Sequence, residues 1–327
     1  MAAVREGCGL FRLPDRGLIA VRGGDRVRWL DGMVSNDVTG LRPGPERSGC
    51  YATLLTRTGR IVADFHVLAR DELFWLETAG ATVPSALEHL ERHLIADDVA
   101  LEDISQSVDR LALEGPSAEP ILERATGGSW ALEAEAWAEV ELEGQPVVVA
   151  RYGWSGETGF QLLVPAGSGE AIAGALEAAG SQLGLICGDR SVLEVLRIEA
   201  GIPVLGAELK DTVLPAEARL GRAVAPSKAC YVGQEVVARM ETAGRVSHLL
   251  VGLTVDEGPI LEPGSKITAD SAKVGEVTSS CWSPTAGPIA LGFVRSAHAA
   301  TGTNLLVADR RVWVASLPFS GPGASPP

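Results

Sequence analysis

The chemically densest stretch of the chain is Lys228-Ala229-Cys230-Tyr231-Val232-Gly233-Gln234-Glu235-Val236-Val237-Ala238-Arg239, whose apolar second half reads equally as strand or helix. Crowded polar groups are costly in a plain core, so the stretch points to a site. A thiol reacts as its thiolate, and a nearby ammonium favours that form, which makes Cys230 and Lys228 the candidate reactive pair. The alternative for Cys230 taken alone is a small buried hydrophobe. His89 and His93 stand four apart on a helical pattern. With no third ligand in view they read as helix-surface residues rather than a metal pair.

Other chemistries lose support by absence. The sequence has no G-x-x-x-x-G-K-[ST], no H-E-x-x-H and no G-x-S-x-G, so ATPase, zinc-protease and α/β-hydrolase readings lack their main motifs. The five cysteines, Cys8, Cys50, Cys187, Cys230 and Cys281, are odd in number and contain no C-x-x-C. Neither a disulfide framework, a zinc site nor a ferredoxin-type cluster is legible in them, and a reducing cytoplasmic setting fits best. Lys and Arg number 28 against 42 Asp and Glu, a formal charge of −14 that repels phosphate backbones, so direct nucleic-acid binding is not expected. Between residues 217 and 245 the balance reverses locally, with Arg219, Arg222, Lys228, Arg239 and Arg245 against Glu217, Glu235 and Glu241. This patch suits an anionic ligand or partner, or is scattered solubilising charge.

A chain of 327 residues, 46% hydrophobic and 21% charged, must position these groups, and that length exceeds one compact core. The N-terminus lacks an apolar signal region, and no apolar run approaches the roughly 18 residues a membrane helix requires, so a soluble protein is expected. Alternation predicts strands over 51–56, 61–69 and 73–78 around a turn at Arg57-Thr58-Gly59-Arg60, then a helix over 84–94 with Ser85 and Glu88 as a capping box. The order repeats loosely, with strands over 137–142, 147–152 and 160–164 and a helix over 169–183. A further helix over 189–200, capped by Asp189 and stopped by Gly201 and Pro203, buries Leu193 and Leu196. After Ser247, short β runs over 248–255, 265–268, 273–278, 289–294 and 311–316 indicate a small β domain, and 318–327 reads as a disordered tail.

The stretch from Lys228 resembles the K-x-C-[FY]-[IV]-G-Q-E signature of the folate-binding YgfZ family, relatives of the glycine-cleavage T-protein (aminomethyltransferase). Other segments are similar to that family in the same order. Val21-Arg22-Gly23-Gly24-Asp25, Trp29-Leu30-Asp31-Gly32 and Ser35-Asn36-Asp37-Val38 look like its N-terminal region, and Arg57 to Asp64 like its glycine-turn segment. Gly156-Glu157-Thr158-Gly159-Phe160-Gln161-Leu162 resembles its G-E-x-G-[YF]-E-L, and Leu196-Arg197-Ile198-Glu199-Ala200-Gly201-Ile202-Pro203 its L-R-x-E-A-G-x-P. Val277-Thr278-Ser279 with Ser283-Pro284 are similar to its C-terminal domain. The resemblance spans residues 15 to 316 and implies an α+β, T-protein-like fold around a central folate site. Its parts would be two ferredoxin-like α+β units with antiparallel sheets within 1–245, split near 115, and a C-terminal β-barrel domain over 246–317.

The resemblance also implies roles. Glu157 matches the T-protein's pterin-binding glutamate, since one carboxylate can accept a pterin's paired N–H donors; otherwise it is a solvated turn residue. Arg197 matches an arginine at the folate; otherwise it pairs with Glu194 or Glu199 on its helix. Trp154 holds an aromatic position and either stacks on the pterin or packs. Where the T-protein has two adjacent aspartates this chain has Ala63-Asp64, which leaves Asp64 as a folate contact and removes one carboxylate of the transfer chemistry.

The expected role is therefore the YgfZ branch's. It is tetrahydrofolate-dependent support of iron–sulfur cluster synthesis or repair in client enzymes, with Cys230 near the folate and partly activated by Lys228. Two alternatives are a folate-dependent aminomethyltransferase or demethylase, and a non-catalytic scaffold that has lost folate, its pterin pocket filled by a Glu157 salt bridge. The partners expected are folate and iron–sulfur clients, with no membrane, no metal site and a monomeric chain.

Overall fold

The structure is a computed structural model that describes residues 1–319 other than 45, 47, 245 and 257. The chain opens with α1 (Ala2–Glu6), β1 (Cys8–Arg12), β2 (Arg16–Arg22), α2 (Arg26–Met33), β3 (Gly49–Leu55), β4 (Ile61–Ala69), β5 (Leu73–Ala79), α3 (Val83–Glu91) and β6 (Ala100–Asp103). Strands β2 to β6 form one antiparallel sheet in the order β3-β4-β5-β2-β6. Gly59 turns β3 into β4 at φ +74°, a conformation glycine adopts without strain. Ala63, Phe65 and Val67 of β4 pack on Leu30 and Met33 of α2 and Val83 and Leu90 of α3. The alternate residues, Asp64 and His66, therefore face the other way.

The second unit holds β7 (Val108–Glu114), α4 (Ala118–Thr126), β8 (Trp137–Leu142), β9 (Gln145–Ala150), β10 (Gly159–Pro165), α5 (Gly169–Gly180) and β11 (Leu185–Cys187). Its sheet runs β11-β1-β7-β10-β9-β8, with β1 and β11 parallel. The units are thus not contiguous halves meeting near 115. The N-terminal β1 crosses into the second sheet because Cys8 and Leu10 complete the core around Leu111, Leu113 and Phe160.

Helix α6 (Arg190–Ala200) follows, with Asp189 accepting from the Ser191 amide at 2.8 Å and Gly201 closing it at φ +71°. It lies against two strands of the C-terminal barrel, Ala272–Ser283 and Gly287–Arg295, and against β1. Helix α7 (Gln234–Ala243) settles the ambiguous half of the Lys228 stretch as helix. The barrel of β12 (His248–Val255), β13 (Lys266–Ala269), β14 (Ala272–Ser283), β15 (Gly287–Arg295), β16 (Asn304–Val307) and β17 (Arg310–Ala315) closes in the order β12-β15-β14-β13-β16-β17. The fold is thus the expected T-protein-like α+β architecture with its terminal barrel.

Two local expectations fail, and several elements were not foreseen. The capping box does not form: α3 starts at Val83, Ser85 Oγ donates back to the Thr82 carbonyl at 2.9 Å, and Glu88 pairs with Arg92. Strand β16 was not foreseen, and neither were β1, β2, β6, β7 and β11 or helices α1, α2 and α4. The proposed tail begins too early, because the Phe319 amide donates to the Glu199 carbonyl at 2.8 Å and its ring packs with Leu317 beside Ile198 and Leu250. Residues 320–327 lie outside the described chain. Among the described residues no helix is long and apolar enough to cross a membrane.

Candidate functional site

The faces of β3 and β4 turned away from their helices meet the second sheet through aromatic rings. His66 stacks on Tyr152 with centroids 3.6 Å apart and planes 7° from parallel, and Tyr152 meets Trp154 edge-on at 5.8 Å. Arg16 donates two parallel bonds to buried Glu77 at 2.5 and 2.6 Å and lies 4.9 Å above the Trp154 ring. Burial alone would raise the Glu77 carboxyl, but Arg16 outweighs it and holds the group below its ordinary range.

A cavity of about 540 Å³ opens at the end of this seam. It brings Asp64, Trp154 and Arg197 together, with Arg16, Arg190 and Glu194 also in its wall. Asp64 accepts a hydrogen bond from the Tyr51 hydroxyl at 2.7 Å on Oδ2, a diagonal contact between neighbouring strands. Arg197 is buried and extensively paired. Nη1 donates to Glu208 at 2.9 Å, and Nη2 donates to Ser279 at 2.6 Å and to Glu194. The helix-local pairing with Glu194 is therefore real, the one with Glu199 is not, and Nε is buried with no partner among the described residues. Its guanidinium is fixed as part of the wall, while Arg190, paired with Asp15, is the more exposed cation of the same cavity.

Glu157 is not in this cavity. It is exposed in a neighbouring hollow of about 340 Å³ that also contains Tyr51, Arg219 and Arg222 and shares Pro203 with the first. Its carboxylate has no hydrogen-bond partner among the described residues, so no Glu157 salt bridge fills a pocket. Trp154 both packs, against Tyr152, and lines the cavity.

The Lys228 stretch divides. The Lys228 side chain is 1% exposed, and its ammonium donates to the carbonyls of Asp31, Val34 and Asn36 at 2.6 to 2.8 Å and to Asp31 Oδ1 at 3.0 Å. It ties the C-terminal end of α2 to the loop before α7, and an ammonium has only three protons to give, so Lys228 is not free to activate Cys230. Cys230 is exposed in a shallow hollow with Arg57, Gln234 and Glu235 that shares no lining residue with either cavity above. The thiol is neither a buried hydrophobe nor beside Asp64. Of the local basic patch, Arg219 and Arg222 reach the second cavity, and Arg245 lies outside the described residues.

Sequence reasoning did not single out Tyr51, Arg16 or Glu114. Glu114 is wholly buried at the end of β7, where it accepts from the Trp154 amide at 3.1 Å and from the Ser155 amide and hydroxyl at 3.2 and 2.6 Å. It thereby holds the loop that bears Trp154 and Glu157. The period-two pattern of β3 and β4, read with Asp64 as the fixed point, was the available signal for Tyr51.

A fold of two interlocked α+β sheets with a closed barrel, enclosing a carboxylate and an aromatic wall, defines the class. The GCVT N-terminal domain family matches residues 1–228, and the glycine cleavage T-protein C-terminal barrel domain family matches 249–318. The chain belongs to the glycine cleavage T-protein family. It is 34% identical to an aminomethyltransferase of Geobacillus kaustophilus, covering 93% of this chain and 84% of that one. It is 33% identical to one of Streptomyces coelicolor, covering 97% and 87%. The crystal structure of the glycine cleavage system aminomethyltransferase T from Bartonella henselae superposes with a TM-score of 0.86 at 25% identity, over 98% of this chain and 88% of that one.

Proposed function

We propose that the chain is a tetrahydrofolate-dependent aminomethyltransferase acting in the cavity of Asp64, Trp154 and Arg16. The observation that carries this is the placement of Asp64. The single carboxylate of the Ala63-Asp64 pair is the one on the cavity face, so the missing aspartate removes nothing from the site. Relatives named aminomethyltransferase support the same reading.

The residues fit a folate. A cavity of about 540 Å³ is in the range of cofactor pockets, and it offers a flat aromatic wall, an acceptor carboxylate and cations at Arg16 and Arg190. Tetrahydrofolate, when bound, supplies the nitrogen that accepts the one-carbon unit. Trp154 offers its ring for stacking and is itself fixed by Tyr152 and Arg16. Tyr51 occupies one oxygen of Asp64, and Oδ1, with no hydrogen-bond partner among the described residues, can hold a proton or face positive charge as the amine departs. Arg190 suits an anionic tail better than Arg197, whose two terminal nitrogens are already committed.

The test supplies tetrahydrofolate and an aminomethylated lipoyl carrier protein and follows methylenetetrahydrofolate. Turnover by the wild type and its loss in Asp64→Asn is the expected result. Folate binding without turnover would sink the transferase reading.

A second reading, support of iron–sulfur cluster synthesis or repair in client enzymes, is favoured by one observation: Cys230 is exposed within a segment resembling the YgfZ signature. Loss of iron–sulfur enzyme activity in a deletion strain, restored by the wild type but not by Cys230→Ala, is its test.

A further inference from the structure

We propose that Glu114 is the positioning residue of the ligand-binding loop, and that losing its proton loosens that loop. The inference deepens the folate reading of the Trp154 cavity and rests on it for its consequence, though not for its geometry. Residues 153–157 place Trp154 in the first cavity and Glu157 in the second, and one carboxylate suspends them. Glu114 Oε1 accepts from the Trp154 amide at 3.1 Å and from Gln161 Nε2 at 3.3 Å, while Oε2 accepts from the Ser155 amide and hydroxyl. Ser155 Oγ in turn accepts from the Glu157 amide at 3.2 Å, so the support reaches both cavity residues.

The packing leaves no slack around this group. A Cβ at Gly153 would stand 2.5 Å from Glu114 Oε2, and one at Gly159 2.9 Å from it, so only glycine lets the backbone close on the carboxylate. The groups facing Glu114 are Ser155 and Gln161 from the loop and β10, and Cys8 from β1. Burial pushes the Cys8 thiol up to about 12, so it stays neutral through the physiological range. None of the side chains hydrogen-bonded to Glu114 is a cation, four accepted hydrogen bonds only partly offset its desolvation, and in the protonated form the Ser155 hydroxyl turns to accept the carboxyl proton.

Burial pushes the Glu114 carboxyl up to about 7, against 4.5 for an ordinary glutamate. A loop that opens lets water reach the group and returns it to ordinary acidity. The closed form then binds the proton more tightly than the open form, so opening is favoured as pH rises between these two values and levels off above the higher one. Between pH 6 and 8 the opening constant is expected to rise about tenfold.

Hydrogen exchange of the 152–161 amides tests this in the intact chain, with rates corrected for their intrinsic pH dependence against the β8–β9 turn. The expected result is a protection factor falling about tenfold from pH 6 to 8 in the wild type and flat in Glu114→Gln. Ser155→Ala keeps the titrating group and is expected to keep the slope at lower overall protection, which guards against a misfolded Glu114→Gln. A flat wild-type profile, or an unchanged slope in Glu114→Gln, overturns the proposal. Tetrahydrofolate titrations at both pH values separate the two readings. A pH-dependent loop with no folate binding at either pH leaves Glu114 in its role and removes the folate reading, whereas folate binding over a loop of constant protection does the reverse.

Discussion

Ala63 and Asp64 are adjacent in sequence and lie on opposite faces of β4: the methyl group packs among Leu30, Phe65 and Val83, while the carboxylate lies in the cavity wall and accepts the Tyr51 hydroxyl. Sequence comparison counts two aspartates against one. The strand's period of two puts these two positions of the chain on opposite faces of the sheet.

This gives an asymmetric pair of variants. Asp64→Asn is expected to keep the fold and to lower transfer at least about a hundredfold, in line with loss of a group handling a proton or charge. Ala63→Asp, which restores the aspartate pair, is expected to give no gain in turnover. It places a carboxylate in an apolar core, with a loss of about 3 kcal/mol or more. Turnover assays beside urea denaturation check both, and a more active Ala63→Asp would refute the facial assignment.

Lys228 is expected to behave as a structural tie. Lys228→Met leaves three carbonyls and the Asp31 carboxylate without their shared donor, for an expected loss of about 3 kcal/mol. The rate at which Cys230 reacts with iodoacetamide should stay within about twofold, measured without denaturant at a temperature where the variant is folded. A tenfold slower thiol would restore the activating role to Lys228.

Strands β3 to β5 and β8 to β10, helices α3, α5 and α6 and five of the six barrel strands were legible because alternation and helical spacing are local signals. Asp189 and Gly201 cap α6 as their residue types indicate. What was not legible is the assignment of partners across the chain. Cys8 and Leu10 give no local sign that β1 joins strands a hundred residues on. Asp64, Trp154 and Arg197 line one cavity, yet Glu157, three residues from Trp154, lines a different hollow. Lys228 and Cys230 differ for the same reason, since a two-residue step carries one side chain into the protein and leaves the other outside.

Trp154 and Glu157 can be separated by ligand affinity. Trp154→Ala removes a stacking surface in the Asp64 cavity and is expected to weaken tetrahydrofolate about tenfold, equivalent to about 1.4 kcal/mol. Glu157→Ala, at an exposed carboxylate with no partner among the described residues, is expected to change affinity by less than about threefold. Calorimetric titration of both variants is the check. A loss in Glu157→Ala exceeding that in Trp154→Ala would move the pterin into the second cavity.

Acid sensitivity should trace to the pair beneath the site. Glu77 is 1% exposed and held below its ordinary value of 4.5 by the two bonds from Arg16. A carboxyl depressed in the folded state stabilises the fold above its unfolded range and loses that contribution as pH falls through the folded value. The wild type is therefore expected to lose stability steadily below about pH 4.5, and Glu77→Gln to show a shallower decline there. At pH 7 the same variant leaves Arg16 buried without its counter-charge and is expected to be less stable by about 3 kcal/mol. The two denaturation curves should converge toward low pH, because protonating Glu77 removes the same negative charge that the Glu77→Gln substitution removes at every pH. Parallel curves down to pH 3 would show that the Arg16–Glu77 pair does not set the acid limit.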